Sequence, residues 1–560
     1  LAPSVSSVST AVPAFIGYTE KALGTGNENL LNTPVRINSM LDYQTLFGTG
    51  DSVKFQVNLT GKEISSIDIP DMKYLMYYAL TLYFKNGGSP CYILSVGDYK
   101  AAPAKEEILS GIKVLEAEDE PTIIVMPDAV SLNEVDYYEV CQASLKHCSD
   151  LKDRFAIFDV LNDDKTAGSF RNGIIGDLKY GAAYYPYLQT SLNYYYEESD
   201  VSVTGFQDIV GELKTNGLKV QYNGDSSEKP GFEIKIDKSG ADTAFEVAAN
   251  KLILTVGSQN TLSQIIKAWN AHTAKGKFAL ESAGSASAKI TAALAEEALA
   301  YDKKTSGETF KLSDNAVRID QSDLYNKIKV ELGKKRLILP PSSAIAGIYA
   351  KTDNNTGVWK APANTALAGV IGPAVKVTAR DQENLNIDPS GAGKSVNAIR
   401  SFTGKGTMVW GARTLDGSSN EWRYISVRRL FNYMEESIKK STAFAVFEPN
   451  NALTWLKVKS MISSFLDDLW HQGALAGANA EQAYFVNVGL GTTMNEADIT
   501  EIDEMSGIQK LEEIRKIDPV VPIIMCTASN KSWSYQTALD YGANGYWEKE
   551  SPDFGIGADY

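Results

Sequence analysis

Residues 91–97 have the sequence CYILSVG, and two similar apolar runs follow, TIIVMP at 122–127 and FAIFDV at 155–160. Each run has the length of a buried strand, and the segments between the runs have the apolar spacing typical of helices. Apolar strands that alternate with helices predict a mainly parallel sheet covered on both faces. The sequence up to about residue 195 therefore indicates an α/β fold.

Length and charge limit the classes of protein. A chain of 560 residues is too long for one hydrophobic core, so several domains are expected. The 54 basic and 69 acidic residues give a net charge of −15, and no long Lys/Arg run is present, which argues against a nucleic-acid partner. No apolar stretch approaches the roughly 20 residues of a membrane-spanning helix, and no signal peptide opens the chain. We expect no membrane insertion.

Turn signals and composition predict five regions. Pro3 and Pro13 indicate an extended N-terminal arm, and alternating strands such as GLKVQYNG and GFEIKID, separated by Asn-Gly and Pro-Gly turns, predict antiparallel hairpins in an inserted domain. The Ala/Glu-rich segment ITAALAEEALAYDKK (290–304) predicts a helix in the same insertion. The regions are an arm and first strand (1–30), a first α/β part (31–198), a β-rich insertion (199–326), a second α/β part (327–498) and a tail (499–560).

The segment RYISVRRLFNYMEESIKKS (423–441) predicts an amphipathic helix. The acidic pair Glu435–Glu436 lies four residues before a lysine pair, which favours an exposed outer face. We expect Arg428 and Arg429 to be solvated or interface charges. The predicted apolar face consists of Val427, Leu430, Phe431, Met434 and Ile438.

The run GAGKS (391–395) resembles the end of a nucleotide-binding phosphate loop. That loop needs a glycine five residues before its Gly-Lys, and counting back from Gly393 reaches Asp388, whose carboxylate would repel phosphate. The loop should also leave a buried strand and open a helix, whereas polar DQENLNID precedes it here. We therefore predict a surface loop, with Lys394 as an exposed surface or inter-subunit charge.

Sites for metals or catalysis are not indicated either. Cys141, His147 and Cys148 lie in a helical-looking segment without a second ligand pair, so they are predicted to be ordinary helix residues. The spacing of the four cysteines favours reduced thiols. The sequence contains no G-x-S-x-G, H-E-x-x-H or G-x-G-x-x-G motif. We predict no catalytic, cofactor-binding or metal residues, and hence a non-enzymatic protein.

Several long blocks resemble contractile tail sheath proteins of phage tails and phage-tail-like injection systems. They extend over roughly residues 10–195 and 330–498, and the most specific contain WKAPAN (359–364) and WGARTL (410–415). In that family, the core is assembled from the N- and C-terminal halves of the chain, and an inserted β-rich domain faces outward. For Trp359, Trp410 and Arg413, packing within this core is favoured over contact between subunits.

The resemblance implies a mechanical function and a set of partners. Sheath subunits form stacked hexameric rings around an inner tube, linked by strand exchange through terminal arms, and contraction drives the tube through a target membrane. The implied partners are further copies of the chain, possible sheath paralogues, the inner tube, the baseplate and the tail terminator or cap. The subunit would be made in the bacterial cytoplasm and assembled in a virion tail, an extracellular particle or a cell-anchored machine, three alternatives that remain open.

The tail beyond residue 499 resembles instead the second half of a response-regulator receiver domain. VPIIMCTAS (521–529) and YGANGYWEKES (541–551) resemble its last two strands, with Thr527 and Lys549 at the positions of the family's phosphate-sensing residues. A phospho-acceptor is not identified, because Asp498 and Asp503 are out of register. A signalling or regulatory protein acting through this tail is the alternative function. A docking tail and a chain lacking a stretch at the junction remain open explanations of its origin.

Overall fold

A computed structural model provides the fold of the chain. It describes residues 4–495, apart from 62, 209–210, 224–227, 241, 249, 302–303, 306–308, 319–321 and 449, together with two short strands at 524–527 and 545–548. Lys549, Asp498 and Asp503 of the receiver-like tail lie outside the described residues. Among the described helices, none combines the length and the apolar character needed to cross a bilayer.

The strands in chain order are β1 (Pro13–Tyr18), β2 (Val35–Ile37), β3 (Gln56–Gly61), β4 (Glu63–Asp68), β5 (Cys91–Gly97), β6 (Ile123–Val125), β7 (Phe155–Asp159), β8 (Gly181–Tyr185), β9 (Leu188–Thr190), β10 (Ser202–Asp208), β11 (Gly211–Thr215), β12 (Leu218–Tyr222), β13 (Gly231–Asp237), β14 (Ala244–Ala248), β15 (Lys251–Gly257), β16 (Phe278–Ser282), β17 (Leu294–Ala298), β18 (Ala300–Tyr301), β19 (Lys304–Thr305), β20 (Phe310–Lys311), β21 (Ile338–Leu339), β22 (Thr365–Ala366), β23 (Val370–Pro373), β24 (Asn397–Phe402), β25 (Gly406–Val409), β26 (Ile524–Thr527) and β27 (Gly545–Glu548).

The α-helices are α1 (Met40–Phe47), α2 (Met76–Lys85), α3 (Lys105–Val114), α4 (Glu134–Leu151), α5 (Gly168–Gly173), α6 (Leu262–Ala271), α7 (Asn315–Arg318), α8 (Ser322–Lys334), α9 (Ser342–Asn355), α10 (Ala379–Asn386), α11 (Ile425–Thr442), α12 (Ala452–His471) and α13 (Ala480–Ala483).

The chain divides into two compact units. The first unit consists of Leu1–Asp51, Met72–Tyr194 and Arg336–Tyr560, and the second of Ser52–Asp71 and Tyr195–Lys335. The second unit overlaps the insertion predicted at 199–326 and also includes the β3–β4 hairpin, which carries no composition signal of the insertion. The five-region division itself stays a prediction.

A nine-stranded sheet in the order β2-β5-β1-β6-β7-β8-β24-β25-β22 forms the centre of the first unit. Strands β5, β1, β6, β7, β8 and β24 run parallel, which agrees with the mainly parallel sheet predicted from the apolar runs of β5, β6 and β7. Phe15 of β1 pairs with Ile93 on one side and Val125 on the other, which fixes the register of the three central strands. The predicted α/β class is confirmed, and the β8–β24 pair joins the N- and C-terminal parts of the chain in one sheet.

The second unit is mainly β-structure, and two sequence predictions for it are wrong. The described residues of segment 290–304 form no helix, because β17 pairs antiparallel with β13, so sheet pairing overrides the helix propensity of its Ala and Glu residues. Strands β13 and β15 are parallel rather than antiparallel. In this sheet β15 lies between β14 and β13. β14 forms an antiparallel hairpin with one side of β15, so β13 pairs with the other side, in the parallel direction.

The order of the parallel strands creates a crevice in the first unit. Taken in chain order, the first five parallel strands lie in the order 2-1-3-4-5, so the chain reverses direction across the sheet at β1. In open α/β sheets, ligands bind beyond the carboxyl ends of the strands at such a point. Asp128, three residues after β6, occupies this position and is fully buried.

Main-chain donors surround the Asp128 carboxylate. Its Oδ2 accepts a hydrogen bond from the amide of Tyr18 at 2.6 Å, and its Oδ1 accepts from the amides of Leu75 and Met76, the latter at 3.1 Å. The amides of Leu75 and Met76 lie at the start of α2. The Asp128 carboxylate therefore lies where an anionic ligand would bind at a helix N-terminus. Burial raises the pKa of Asp128 to about 7, with the three amide donors acting in the opposite direction.

A related contact lies at the end of the neighbouring strand β7. Asp159 Oδ1 accepts a hydrogen bond from the amide of Ser342 at 2.7 Å, at the start of α9. Burial raises the pKa of this carboxyl to about 7 as well. The carboxyl ends of β6 and β7 are therefore linked to helix starts by carboxylates of the chain itself.

We expect Gly17→Ala to destabilise the first unit, because a Cβ at this position would lie 2.3 Å from Asp128 Oδ2 and 2.8 Å from Met76 Cε. Overpacking of this kind costs roughly 1–3 kcal/mol, which urea unfolding would measure. Gly372→Ala is the matched control, since a Cβ there meets no atom within 4 Å. An equal effect of the two substitutions would contradict the close-approach explanation.

The raised pKa of Asp128 predicts a pH dependence of stability. Between about pH 4 and 7 the folded chain holds a proton that the unfolded chain releases, so the contribution of this group is largest at low pH and is lost as pH rises through 7. Asp128→Asn should flatten the change in urea midpoint between pH 5 and 8, whereas exposed Asp163→Asn should leave it unchanged. Identical pH profiles for wild type and Asp128→Asn would refute this.

Candidate functional site

The GAGKS loop holds a carboxylate of its own in place of phosphate. Asp388, at the position where a phosphate loop needs glycine, accepts hydrogen bonds from the Ser390 amide at 2.9 Å and the Ser390 hydroxyl at 2.7 Å. The Arg171 guanidinium lies 3.8 Å away. Burial opposes ionisation of Asp388, yet the Ser390 hydrogen bonds and Arg171 together lower its pKa. The carboxylate at this position is therefore held by Ser390 and Arg171 of the same chain.

Lys394 is not the exposed charge that the sequence predicts. It is half-buried, and its ammonium group donates to the carbonyl oxygens of Arg171 and Ile174. Arg171 in turn donates to the carbonyls of Lys394, Asn384 and Leu385. These hydrogen bonds from Arg171 and Lys394 join α5 to α10 and to the α10–β24 connection. Both cations therefore serve as internal links of the first unit.

The predicted helix at 423–441 is confirmed as α11, and its apolar face packs as expected. Leu430, Met434 and Ile438 are buried in a cluster shared with α12, whereas Phe431 is partly buried against that cluster. On the opposite face Glu436 lies 3.1 Å from Lys440, an i,i+4 pair that agrees with the sequence prediction, whereas the prediction is wrong for Glu435. Glu435 is 3% exposed and lies 3.2 Å from Arg428, so the two do not belong to an outer charged face.

Arg428 and Arg429 were expected to be solvated or interface charges, and the structure buries both. Arg428 stacks 4.2 Å from the centre of the Trp422 ring and donates to Asn432 Oδ1 at 2.7 Å. Asn432 donates to the carbonyl of Arg154, directly before β7. The helix is buried on two sides because it lies between the α12 cluster and the amino ends of the central strands.

Arg429 links three parts of the chain. Its two terminal nitrogens contact the Asp353 carboxylate of α9 at 3.1 and 2.6 Å, a bidentate pair that is almost fully buried. The same guanidinium donates to the carbonyl of Thr10 at 2.8 Å and stacks 4.7 Å from the Tyr349 ring. The position of Thr10 is therefore determined by α9 and α11 together.

Residues 4–12, the N-terminal segment, lie along α11 without forming a strand. Its amides of Ser6 and Val8 donate to the hydroxyls of Ser441 at 2.9 Å and Ser437 at 3.3 Å. The surface under this segment thus belongs to the same chain, and its function as an arm stays a prediction.

A cavity of about 310 Å³ lies beside the N-terminal segment, at the amino ends of β6 and β7. Its charged groups are largely paired within the chain: Lys440 lies 3.1 Å from Glu436, and Arg154 lies 2.7 Å from Asp153. The cavity lies between the N-terminal segment and α11, which contributes Arg429, Asn432 and Glu436 to its lining.

The remaining predicted residues pack inside the first unit. Trp410 lies 4.5 Å from the Phe402 ring, Trp359 borders the α11–α12 cluster, and the amide of Arg413 donates to Asn397. These contacts agree with packing in the core.

Cys141, His147 and Cys148 lie on α4, as predicted. Burial raises the pKa of both thiols, and burial next to Arg154 lowers the pKa of His147 to about 4. Within the described ranges, no three His, Cys, Asp or Glu side chains are placed to hold a metal ion.

Sequence reasoning missed Asp128, Asp159, Arg171 and Asn397. The two aspartates follow apolar strand runs, which is a recognisable signal of a strand end, but the amides that they accept from are distant in sequence. Asn397 gives no signal in its own neighbourhood, since its side chain bridges the carbonyls of Ala183 and Arg413.

Comparison with family models gives two matches. The phage tail sheath C-terminal domain matches residues 418–518, which include α11, α12 and α13. The response regulator receiver domain matches residues 498–554. Within that second range β26 and β27 form a parallel pair, with Thr527 opposite Glu548.

Individual relatives are tail sheath proteins. The tail sheath protein of Enterobacteria phage T4 is 25% identical over 238 residues, 41% of this chain and 33% of the phage protein. A putative prophage major tail sheath protein of Pseudomonas aeruginosa (strain UCBPP-PA14) is 27% identical over 186 residues, 32% of this chain and 44% of that protein. The matches thus span less than half the length of these curated relatives.

Solved structures extend the similarity to most of the chain. The helical sheath of the anti-feeding prophage in its contracted state has a TM-score of 0.51 and 27% identity over 90% of this chain and 89% of that chain. A chain of the anti-feeding prophage baseplate has a TM-score of 0.50 and 26% identity over the same shares. The protein therefore has the fold of a contractile sheath subunit and resembles contractile tail sheath proteins in sequence.

Proposed function

We propose that this chain is a structural subunit of a contractile sheath. Copies would assemble as stacked hexameric rings in a helical tube around an inner tube, and contraction would drive that tube through a target membrane. The observation that carries the proposal is the match to a contracted helical sheath over 90% of the chain. Beside further copies and the inner tube, the proposed partners are the baseplate, a terminator or cap and possible sheath paralogues.

The buried carboxylates support a mechanical rather than an enzymatic function. In the strand crevice Asp128 accepts from three main-chain amides, and beside the GAGKS loop Asp388 accepts from the Ser390 amide. A subunit that moves largely as a rigid body needs such internal links, and the energy of contraction would come from the packing between subunits. We propose no catalytic residues, cofactor or bound metal.

Synthesis in the bacterial cytoplasm and assembly in a tail-like particle follow from the same proposal. The relatives are components of phage and prophage tails and of the anti-feeding prophage sheath. The alternative, signalling through the receiver-like tail, is less well supported. The receiver model matches only residues 498–554, whereas the sheath fold extends over most of the chain.

The five regions of the chain take their functions from the proposed assembly. The segment 1–30 and the end of the second core part would carry the links between subunits, 31–198 and 327–498 would form the core, and 199–326 would face outward. The tail 499–560 would be an appended docking element.

Electron microscopy tests the proposal directly. Full-length protein, expressed alone and concentrated, should form tubes or stacked rings in negative stain and sediment as large assemblies. A chain that remains monomeric at high concentration would contradict the sheath function. Co-expression with an inner tube protein of a contractile injection system separates a subunit that needs this template from one that cannot assemble.

Arg429→Ala should release the N-terminal segment and impair assembly, because it removes one partner of a buried bidentate pair and the donor to Thr10. Breaking such a pair costs about 3–5 kcal/mol. Amide hydrogen exchange should rise at residues 6–12, and the yield of assemblies should fall. Arg423→Ala is the matched control, since the Arg423 side chain donates to nearby Ser419 and Asn420 and makes no contact with the N-terminal segment among the contacts described. Unchanged exchange in Arg429→Ala would disprove the anchoring role.

A further inference from the structure

The GAGKS loop places the ammonium group of Lys394 at the end of α5. Its Nζ donates to the main-chain carbonyl of Arg171, in the last turn of the helix, and to that of Ile174, the residue after the helix. Carbonyl groups at a helix end have no donor within the helix, and the helix dipole gives them partial negative charge. The end of α5 therefore presents main-chain oxygens that favour a cation.

A carboxylate belongs to the same site. The charge of Asp388 raises the pKa of Lys394, whereas burial of the ammonium group lowers it. Asp388 is itself buried, and its Oδ2 accepts no hydrogen bond from the described residues. Its Oδ1 lies 3.8 Å from Arg171 Nη1, which is too far for a hydrogen bond. The negative charge of Asp388 is therefore available to balance the Lys394 ammonium as well as the guanidinium.

The oxygens of this site are positioned by contacts that the Lys394 side chain does not make. Arg171 and Ile174 belong to α5 and its end, whereas Asp388 follows α10. The Arg171 guanidinium donates to two carbonyls of α10, each at 2.8 Å, and to the main-chain carbonyl of Lys394 at 3.0 Å. We therefore expect the site to persist when the Lys394 side chain is shortened.

We propose that the carbonyls of Arg171 and Ile174, together with Asp388, form a binding site for an ammonium ion, which the Lys394 side chain fills as a tethered ligand. A free ammonium ion or a small primary alkylammonium ion would occupy the site in a chain with a shortened side chain, because it supplies the same charge and the same N–H donors. A planar guanidinium would not fit in its place, since its charge is spread over a larger group. This inference concerns the interior of the first unit and does not depend on the proposed sheath function.

Chemical rescue of Lys394→Ala tests the site in the full-length protein. The substitution should lower the urea midpoint, and added ammonium or methylammonium chloride should raise it again. An ion that binds only the folded chain stabilises it with the logarithm of its concentration above the dissociation constant. Tetramethylammonium chloride, whose ion has the charge but no N–H donor, should give no such rise. Lys405→Ala, a truncation of an exposed lysine, is the matched control and should respond to the three salts as the wild type does.

Two results would overturn the site. One is a urea midpoint of Lys394→Ala that equals the wild-type value without added ions. The other is a response to ammonium that is no larger in Lys394→Ala than in the wild type. Adding Asp388→Asn to Lys394→Ala should weaken the rescue, and an undiminished rescue would overturn the assignment of Asp388.

Acetylation of the wild type provides a measurement that does not depend on the folding of a variant. Because two carbonyls hold the Lys394 ammonium, an N-hydroxysuccinimide ester of acetate should modify Lys394 more slowly than exposed Lys405 in the native chain. Mass spectrometry of the digested protein gives both rates, and urea-unfolded protein is the control in which the two lysines should react alike. Equal rates in the native chain would contradict an occupied site.

Discussion

Parallel pairing between β8 and β24 is the interaction on which the first unit depends. Asn397 pairs with Tyr184 and Ala398 with Tyr185, so residues more than 200 positions apart become neighbours in one sheet. The Asn397 side chain reinforces the pair, since its amide donates to the carbonyls of Ala183 and Arg413 at 3.2 and 2.8 Å. Without this pair the sheet would end at β8, and β24 and β25 would lose their template. The long insertion between the two strands is tolerated because loop-closure entropy rises only slowly with length.

Buried carboxylates give the same unit its internal links. Asp128 and Asp159 join strand ends to the starts of α2 and α9, and Asp388 fills the loop that resembles a phosphate site. In an enzyme of similar topology, the donors at these places would face a ligand. In this chain the donors instead bind carboxylates of the same chain, and the resulting hydrogen bonds connect its strands, helices and loops. Such connections suit a subunit that must move as a body.

The direction of the parallel strands gives the first unit two different edges. The N-terminal segment and the α11–α12 cluster lie at the amino edge, whereas a cleft beyond β1 and β5 lies at the carboxyl edge. A subunit with two different ends can add copies head to tail. The polarity of the sheet is thereby connected to the polarity of the proposed assembly.

The sequence by itself determined the parallel sheet, the amphipathic α11 and the failure of GAGKS as a phosphate loop, because strand length, helical periodicity and the required glycine are local properties. Tertiary structure alone decided that β17 forms where the sequence predicts a helix, that β13 and β15 are parallel, that Arg428 and Arg429 are buried, and that Lys394 is half-buried. Each of these depends on partners distant in the chain. From the sequence alone a charged side chain is expected to be solvated, because its burial costs free energy unless a partner group compensates it. For Arg429 and Lys394 these partners are Asp353 and the Ile174 carbonyl, which only folding brings close to them.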